Sequence, residues 1–330
     1  MIPPSVTPTV DYERDGVQHG FLRLPYSHDD SAWGSVMIPI AVIRNGGGPT
    51  ALLTGGNHGD EYEGPLALFE LARTLEPAQV SGTVIIVPAM NYPAFRTGTR
   101  TSPIDRGNLN RSFPGRPDGT VTEKIADYFQ RELLLRADLV LDFHSGGRTL
   151  DFIPFCAAHV LPDKAQEKRG FEAVEAFSAP WSVKMLEIDA AGMFDTAAEG
   201  MGKVFVTTEL GGGGTARAET VRIARRGVVN VLRHAGIVAG KAEKAPTRWL
   251  DMPSSDCFSF AEDDGMVETM IDLGEPVAAG QVVARVHGIG RTGAAPAEIR
   301  SKLTGLLAAR HFPGLIKAGD CAAVIAVELG

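Results

Sequence analysis

Only three cysteines occur in this chain, Cys156, Cys257 and Cys321. They are far apart and odd in number, so neither a disulfide framework nor a thiolate zinc site is expected. A reducing compartment fits, with the three as small buried apolar residues. Nowhere does an apolar run approach the roughly 20 residues that a membrane-spanning helix needs. The opening Met1-Ile2-Pro3-Pro4 lacks the charged start and apolar core of a secretory signal. There is also no basic tract and no acidic tail, and the net charge is −8 with a pI near 5.5. Nucleic acid and anionic membranes, which want a basic face, are thereby disfavoured as partners. Together these absences give the expectation of a cytoplasmic protein, with homo-oligomerisation left open.

What is present is ordinary for a globular protein: 44% hydrophobic and 22% charged residues over 330 positions. That length suffices for one large domain, or for a large and a small one. Residues 1–45 read as a strand-rich lead-in, with 36–43 its clearest strand. Strand and helix then alternate. A strand at 50–54 leads to a helix at 63–75 with Leu68, Leu71, Ala72 and Leu75 on one face. A buried strand is expected at 83–88, and a long irregular segment at 91–118, of the kind that is often functional. Thr120 and Glu123 form a capping-box pattern that opens a helix carrying Ile125, Phe129 and Leu133. Further strands are expected around 139–144, 152–155, 183–188 and 204–210. Helices are expected at 165–177 and 218–234, with Gly236 placed to end the second. This alternation predicts an α/β fold whose sheet is covered by helices on both faces.

Composition shifts near 240–246, which sets a domain boundary: 1–240 as the catalytic domain and 245–330 as a small β domain. The second part echoes itself. Gly265-Met266-Val267 and Val277-Ala278-Ala279-Gly280-Gln281 recur as Gly305-Leu306-Leu307 and Ile316-Lys317-Ala318-Gly319-Asp320. Two similar halves of short strands predict a small pseudo-symmetric β sandwich, similar to a biotinyl or lipoyl carrier domain. The turn that would present a modifiable lysine is not recognisable, so a structural or oligomerising role is expected.

The chemistry gathers around Gly55-Gly56-Asn57-His58-Gly59-Asp60-Glu61. His58 and Glu61 stand three apart, a spacing that points two side chains the same way in a tight turn or helix start. Zinc accepts both ligand types. His144, ending the apolar run Leu139-Val140-Leu141-Asp142-Phe143, is the expected third ligand. One zinc ion per chain, with a position left open for water, is the set a catalytic site requires. Each motif sits just beyond a strand, at the edge where open α/β sheets bind ligands. Glu209, before the run Gly211-Gly212-Gly213-Gly214, is the expected general base. Asn110 and Arg111 offer an amide and a planar fork for a substrate carboxylate. Arg100 is the preferred partner of the oxyanion, with Arg106 competing. Asp142 shares a strand face with His144; it is expected to orient a ligand imidazole, that of His58 rather than its own neighbour.

These motifs together resemble the succinylglutamate desuccinylase/aspartoacylase family of zinc-dependent amidohydrolases, which is related in fold to the zinc carboxypeptidases. The similarity spans about 51–214 and rests on Gly55 to Glu61, Asn108 to Gly115, Asp142 to Gly147 and Thr207 to Gly212. It implies a mixed, mostly parallel sheet, zinc on His58, Glu61 and His144, Glu209 as base, and substrate carboxylate on Asn110 and Arg111. One departure stands out: the family motif usually begins with Asp where this chain has Asn108. The stretches 24–34, 99–107 and 161–165 are most similar to family members acting on N2-acetyl-2,4-diaminobutanoate in ectoine breakdown. The resemblance therefore implies hydrolysis of that amide, and a free side-chain amine to be met by Asp60, Glu187 or Asp195. Rival readings are a deacylase of acetylaspartate or succinylglutamate, a carrier modified near Lys302 or Lys317, and a metal-free scaffold.

Overall fold

Four aliphatic runs form the centre of the computed structural model, which describes residues 2–186 and 190–329. Gly82–Val87, Thr50–Gly55, Leu139–His144 and Val204–Glu209 lie side by side in that order as parallel strands. Covered on both faces, they leave no room for a polar stripe, which accounts for their Val, Leu and Ile content. Successive residues feed two cores: Leu53, Ile86, Leu141 and Val206 face one, and Leu52, Ile85, Val140 and Phe205 the other. Helices Glu63–Thr74, Lys164–Phe177 and Ala218–His234 roof the first core. Helices Val121–Tyr128 and Phe194–Gly200, with the lead-in strands Gly16–Pro25 and Ser35–Asn45, close the second.

Local chemistry sets the helix ends. Glu123 N donates to Thr120 Oγ1 (3.3 Å) and Thr120 N donates to Glu123 Oε2 (2.8 Å), completing the capping box. Gly236 takes φ 71° just beyond Ala218–His234, the left-handed turn that glycine makes without strain. That helix lies so close to its neighbour that a Cβ at Gly227 would sit 2.3 Å from the Phe177 ring.

Three expectations need correction. The segment 91–118 is not wholly irregular, since it holds a short helix, Tyr92–Thr97, and a 3-10 turn, Leu109–Arg111. The strand expected at 152–155 is two strands, Leu150–Phe152 and Phe155–His159, parted at Pro154, which cannot donate to a ladder. The strand expected at 183–188 is Trp181–Met185, and position 188 lies outside the described residues.

The large sheet continues beyond its parallel centre. Phe155–His159 runs antiparallel to Val204–Glu209 and parallel to Trp181–Met185, which pairs with Arg248–Asp251 and so reaches Cys321–Glu328. There the sheet faces a second one, built from Ala297–Arg300, Val282–His287, Gly265–Thr269 and Leu315–Ile316. Val283, Val286, Ile299 and Ile316 from one side meet Val277, Leu307 and Ile325 from the other. The internal echo has a structural counterpart. Gly265–Thr269 and Gly305–His311 hold equivalent places, and each pairs with the short strand of the other half, Leu315–Ile316 and Pro276–Val277. Gly305–His311 pairs in addition with Leu150–Phe152. Cys156, Cys257 and Cys321 are free, the first two buried. No helix among the described residues is long and apolar enough to cross a membrane.

Candidate metal centre and catalytic cleft

Three neighbouring strands end together at one edge of the sheet and deliver the centre. Glu209 stands opposite His144 in the ladder, and Gly55 opposite Phe143. The loop after Gly55 carries His58 and Glu61, and two glycines let it fold there. Gly56 adopts φ 63°. At Gly59 a Cβ would lie 2.1 Å from the Ala94 backbone, so the loop seats directly on the helix Tyr92–Thr97.

Glu61 lies between the two imidazoles. Its Oε1 is 2.7 Å from His58 Nδ1 and its Oε2 is 3.0 Å from His144 Nδ1. Ser145 N also donates to Oε2, at 3.2 Å. One ligand atom from each of the three residues lies within 4.8 Å of the other two, and His58 and Glu61 are buried. Burial alone would raise the Glu61 carboxyl, but His58 and His144 outweigh it and hold it well below the usual range. Burial lowers His58, against the pull of Glu61, which favours the neutral ring that a metal needs. For His144 burial acts in the same direction, but Asp142 and Glu61 prevail and raise it.

Asp142 is where the structure departs from expectation. Its Oδ2 lies 2.8 Å from His144 Nε2, so it orients its own strand neighbour rather than His58. Residues i and i+2 of a strand share a face. The side of the carboxylate that looks toward the His58 loop is taken by Thr54 Oγ1, donating at 2.7 Å to Oδ1, and by Asn57 Nδ2, donating at 3.2 Å to Oδ2. Neither Thr54 nor Asn57 was assigned a part from sequence, although Asn57 sits inside the motif.

Glu209 lines the same cleft, partly buried, and its shielded Oε2 has no hydrogen-bond partner among the described residues. Burial, reinforced by the Glu61 charge, pushes its carboxyl up to about 8, against the opposing influence of His144 and Arg100. Behind the ligands lies a further acid that sequence gave no signal for beyond a first-turn position. Glu63 is 1% exposed, and burial pushes it up to about 7.

The cleft has a volume of about 270 Å³, and Arg100, Asn110, Arg111 and Asp195 are in its wall. Arg100 Nη1 is 3.3 Å from His58 Nδ1 and 3.8 Å from Glu61 Oε1, with half of the side chain exposed. Arg106 is exposed in the 102–107 turn and is not part of that wall. Asn110 Oδ1 accepts from Phe194 N at 3.1 Å, and its carbonyl accepts from Arg111 Nη1 at 2.7 Å. Asn108 accepts from Asn110 N through Oδ1 (3.1 Å), a turn-forming bond that an amide oxygen makes as well as a carboxylate. Of the three acids suggested for a substrate amine, Asp60 sits outside the wall and accepts from Arg148 N at 2.8 Å. Asp195 lines the cleft, and Glu187 lies outside the described residues.

A His-Glu-His set at the carboxyl ends of parallel strands, two of its members buried and a further carboxylate beside it, could hold a metal ion for hydrolysis. The chain belongs to the succinylglutamate desuccinylase/aspartoacylase family, whose catalytic domain matches residues 47–235. It is 56% identical to the N-alpha-acetyl-L-2,4-diaminobutyric acid deacetylase of Halomonas elongata, over 98% of this chain and 95% of that one. The product-bound structure of the ectoine utilization protein EutE from Ruegeria pomeroyi matches with a TM-score of 0.97 and 64% identity, covering 99% of this chain and all of that one. A succinylglutamate desuccinylase/aspartoacylase structure from Rhodobacter sphaeroides matches at 0.94 and 39% identity, over 98% of this chain and 100% of its own.

Proposed function

We propose that the chain is a zinc-dependent deacylase that hydrolyses N2-acetyl-L-2,4-diaminobutanoate to diaminobutanoate and acetate, a step of ectoine degradation. The observation that carries this reading is the convergence of His58, Glu61 and His144 within 4.8 Å, with Glu209 lining the same cleft. Two imidazoles and one carboxylate suit zinc, whereas magnesium and calcium want oxygen ligands. When bound, the ion supplies Lewis acidity: it polarises the acyl carbonyl and draws the pKa of water toward neutrality.

The chain's own residues do the rest. Glu209 takes the proton of the attacking water and returns it to the leaving amine. Glu209, raised to about 8 by burial and by the Glu61 charge, would be favoured in its ionised, proton-accepting form by a cation held on His58, Glu61 and His144. Arg100 faces the oxyanion, as its place beside His58 and Glu61 supports. Asn110 and Arg111 hold the substrate carboxylate. Asp142 fixes the ring of His144 through the nitrogen that faces away from Glu61.

The choice of substrate draws on the Halomonas and Ruegeria relatives, and a cleft of about 270 Å³ suits a ligand of amino-acid size. Residues 1–240 form the catalytic part, and 245–330 serve as a wall rather than a carrier. The ladder between Gly305–His311 and Leu150–Phe152 supports that role, since Leu150 and Phe152 line the cleft. The free cysteines support a cytoplasmic setting.

The test is zinc analysis of the purified protein together with turnover of a panel of N-acyl amino acids. About one zinc per chain and a preference for acetyl-diaminobutanoate are expected. A preference for acetylaspartate or succinylglutamate would overturn the substrate, and a fully active metal-free protein would overturn the mechanism.

A further inference from the structure

Four carboxylates from the described residues line the cleft: Glu61, Asp142, Glu209 and Asp195. Three are committed to the centre. Glu61 meets both imidazoles, Asp142 holds His144, and Glu209 stands opposite His144 in the ladder as the base of the proposed reaction. Asp195 is the fourth. It opens the helix Phe194–Gly200 and is only 7% exposed. Its Oδ1 accepts from Thr196 N at 2.6 Å, which fixes the rotamer.

The platform beneath it is rigid. Phe194 is fully buried, with its ring 4.8 Å from Phe113, 5.9 Å from Phe129 and 5.6 Å from Phe205, centre to centre. Phe194 N donates to Asn110 Oδ1, so the start of this helix is tied to the residue preceding Arg111. One end of the cleft therefore joins a cationic group and a fixed anionic one on a single hydrogen-bonded frame. Met185, Met193 and Phe205 share the wall with Asp195, and apolar neighbours strengthen any charge pair formed there.

We propose that Asp195 is the specificity-determining residue that receives the side-chain ammonium of the substrate. The proposal rests on the substrate reading above and adds which group reads the amine. With the substrate carboxylate on Arg111, a substrate bearing a second carboxylate would set that charge against Asp195. Like charges brought together in a partly desolvated site are repelled, so the same residue disfavours dicarboxylic acyl amino acids.

The experiment compares native enzyme with Asp195→Asn and Asp195→Ala, each loaded with zinc and checked for metal content and melting temperature. Substrates are N2-acetyl-2,4-diaminobutanoate and N-acetyl-2-aminobutanoate, which has the same carbon chain without the amine. Native enzyme should prefer the diamino compound in kcat/KM, and both variants should reduce that preference by at least about 30-fold, the effect of removing one partner of a buried charge pair. An equal loss on both substrates means that Asp195 only supports the helix, and overturns the proposal. An unchanged preference overturns it as well. If native enzyme hydrolyses neither compound yet acts on dicarboxylic acyl amino acids, the substrate reading fails first and the proposal with it.

Discussion

Replacing Glu209 by Gln removes a proton acceptor while keeping side-chain volume, and the structure sets two opposite effects against each other. The carboxyl is buried and moved from 4.5 to about 8. An acid whose folded pKa lies above its unfolded value leaves stability untouched at low pH and weakens the fold as pH climbs between the two. At ~1.4 kcal/mol per pH unit, the cost in the metal-free protein reaches a few kcal/mol above pH 8. Glu209→Gln escapes it, so the metal-free variant should match the native protein near pH 4 and exceed it in melting temperature at pH 8. Catalysis should move the other way. Loss of a general base lowers kcat by about 10²- to 10⁴-fold. Native kcat/KM should fall as acid protonates this group, and the residual activity of the variant should lack that acid limb. Thermal melts of chelated protein across pH 4–9, with rate profiles of the zinc-loaded forms, test both arms. A variant as active as native protein, or two melting curves that coincide at every pH, would refute the reasoning.

Asp142→Asn keeps the contact with His144 but loses the charge, and should weaken metal affinity by about 10- to 100-fold in chelator competition. Arg111→Lys trades a planar fork for a point charge, and should raise KM by about 10-fold or more with a smaller change in kcat. Gly227→Ala would place a Cβ 2.3 Å from the Phe177 ring, and should destabilise the protein by about 1–3 kcal/mol in urea titration with activity per folded molecule retained.

The centre was legible in the sequence because its parts are local. His58 and Glu61 share one turn, and His144 and Glu209 each end an apolar strand, so strand direction alone gathers them at one edge. Relations across strands were not legible. Thr54 and Asn57 take the side of Asp142 that faces the His58 loop, and no spacing in the chain reveals that Leu139–His144 pairs with Thr50–Gly55. The choice between Arg100 and Arg106 depended on the path of a loop, and Arg106 sits at φ 57°, unusual for a residue with a side chain. Glu63 reads as an ordinary first-turn acid, and only tertiary burial changes its character. In the C-terminal part the repeat was visible, but the exchange of short strands between its halves, and the bond to Leu150–Phe152, join residues far apart along the chain.

That last ladder has a consequence for synthesis on the ribosome. Leu150 pairs with His311 and Phe152 with Ala309, a separation of about 160 positions (311 minus 150). At about 5–20 residues per second, the earlier strand waits roughly 8–30 seconds for its mate. Until then an open backbone edge is available to any passing chain. Leu150 and Phe152 also line the cleft, so a product terminated before residue 309 would lack the strand that backs this wall and would keep that edge open.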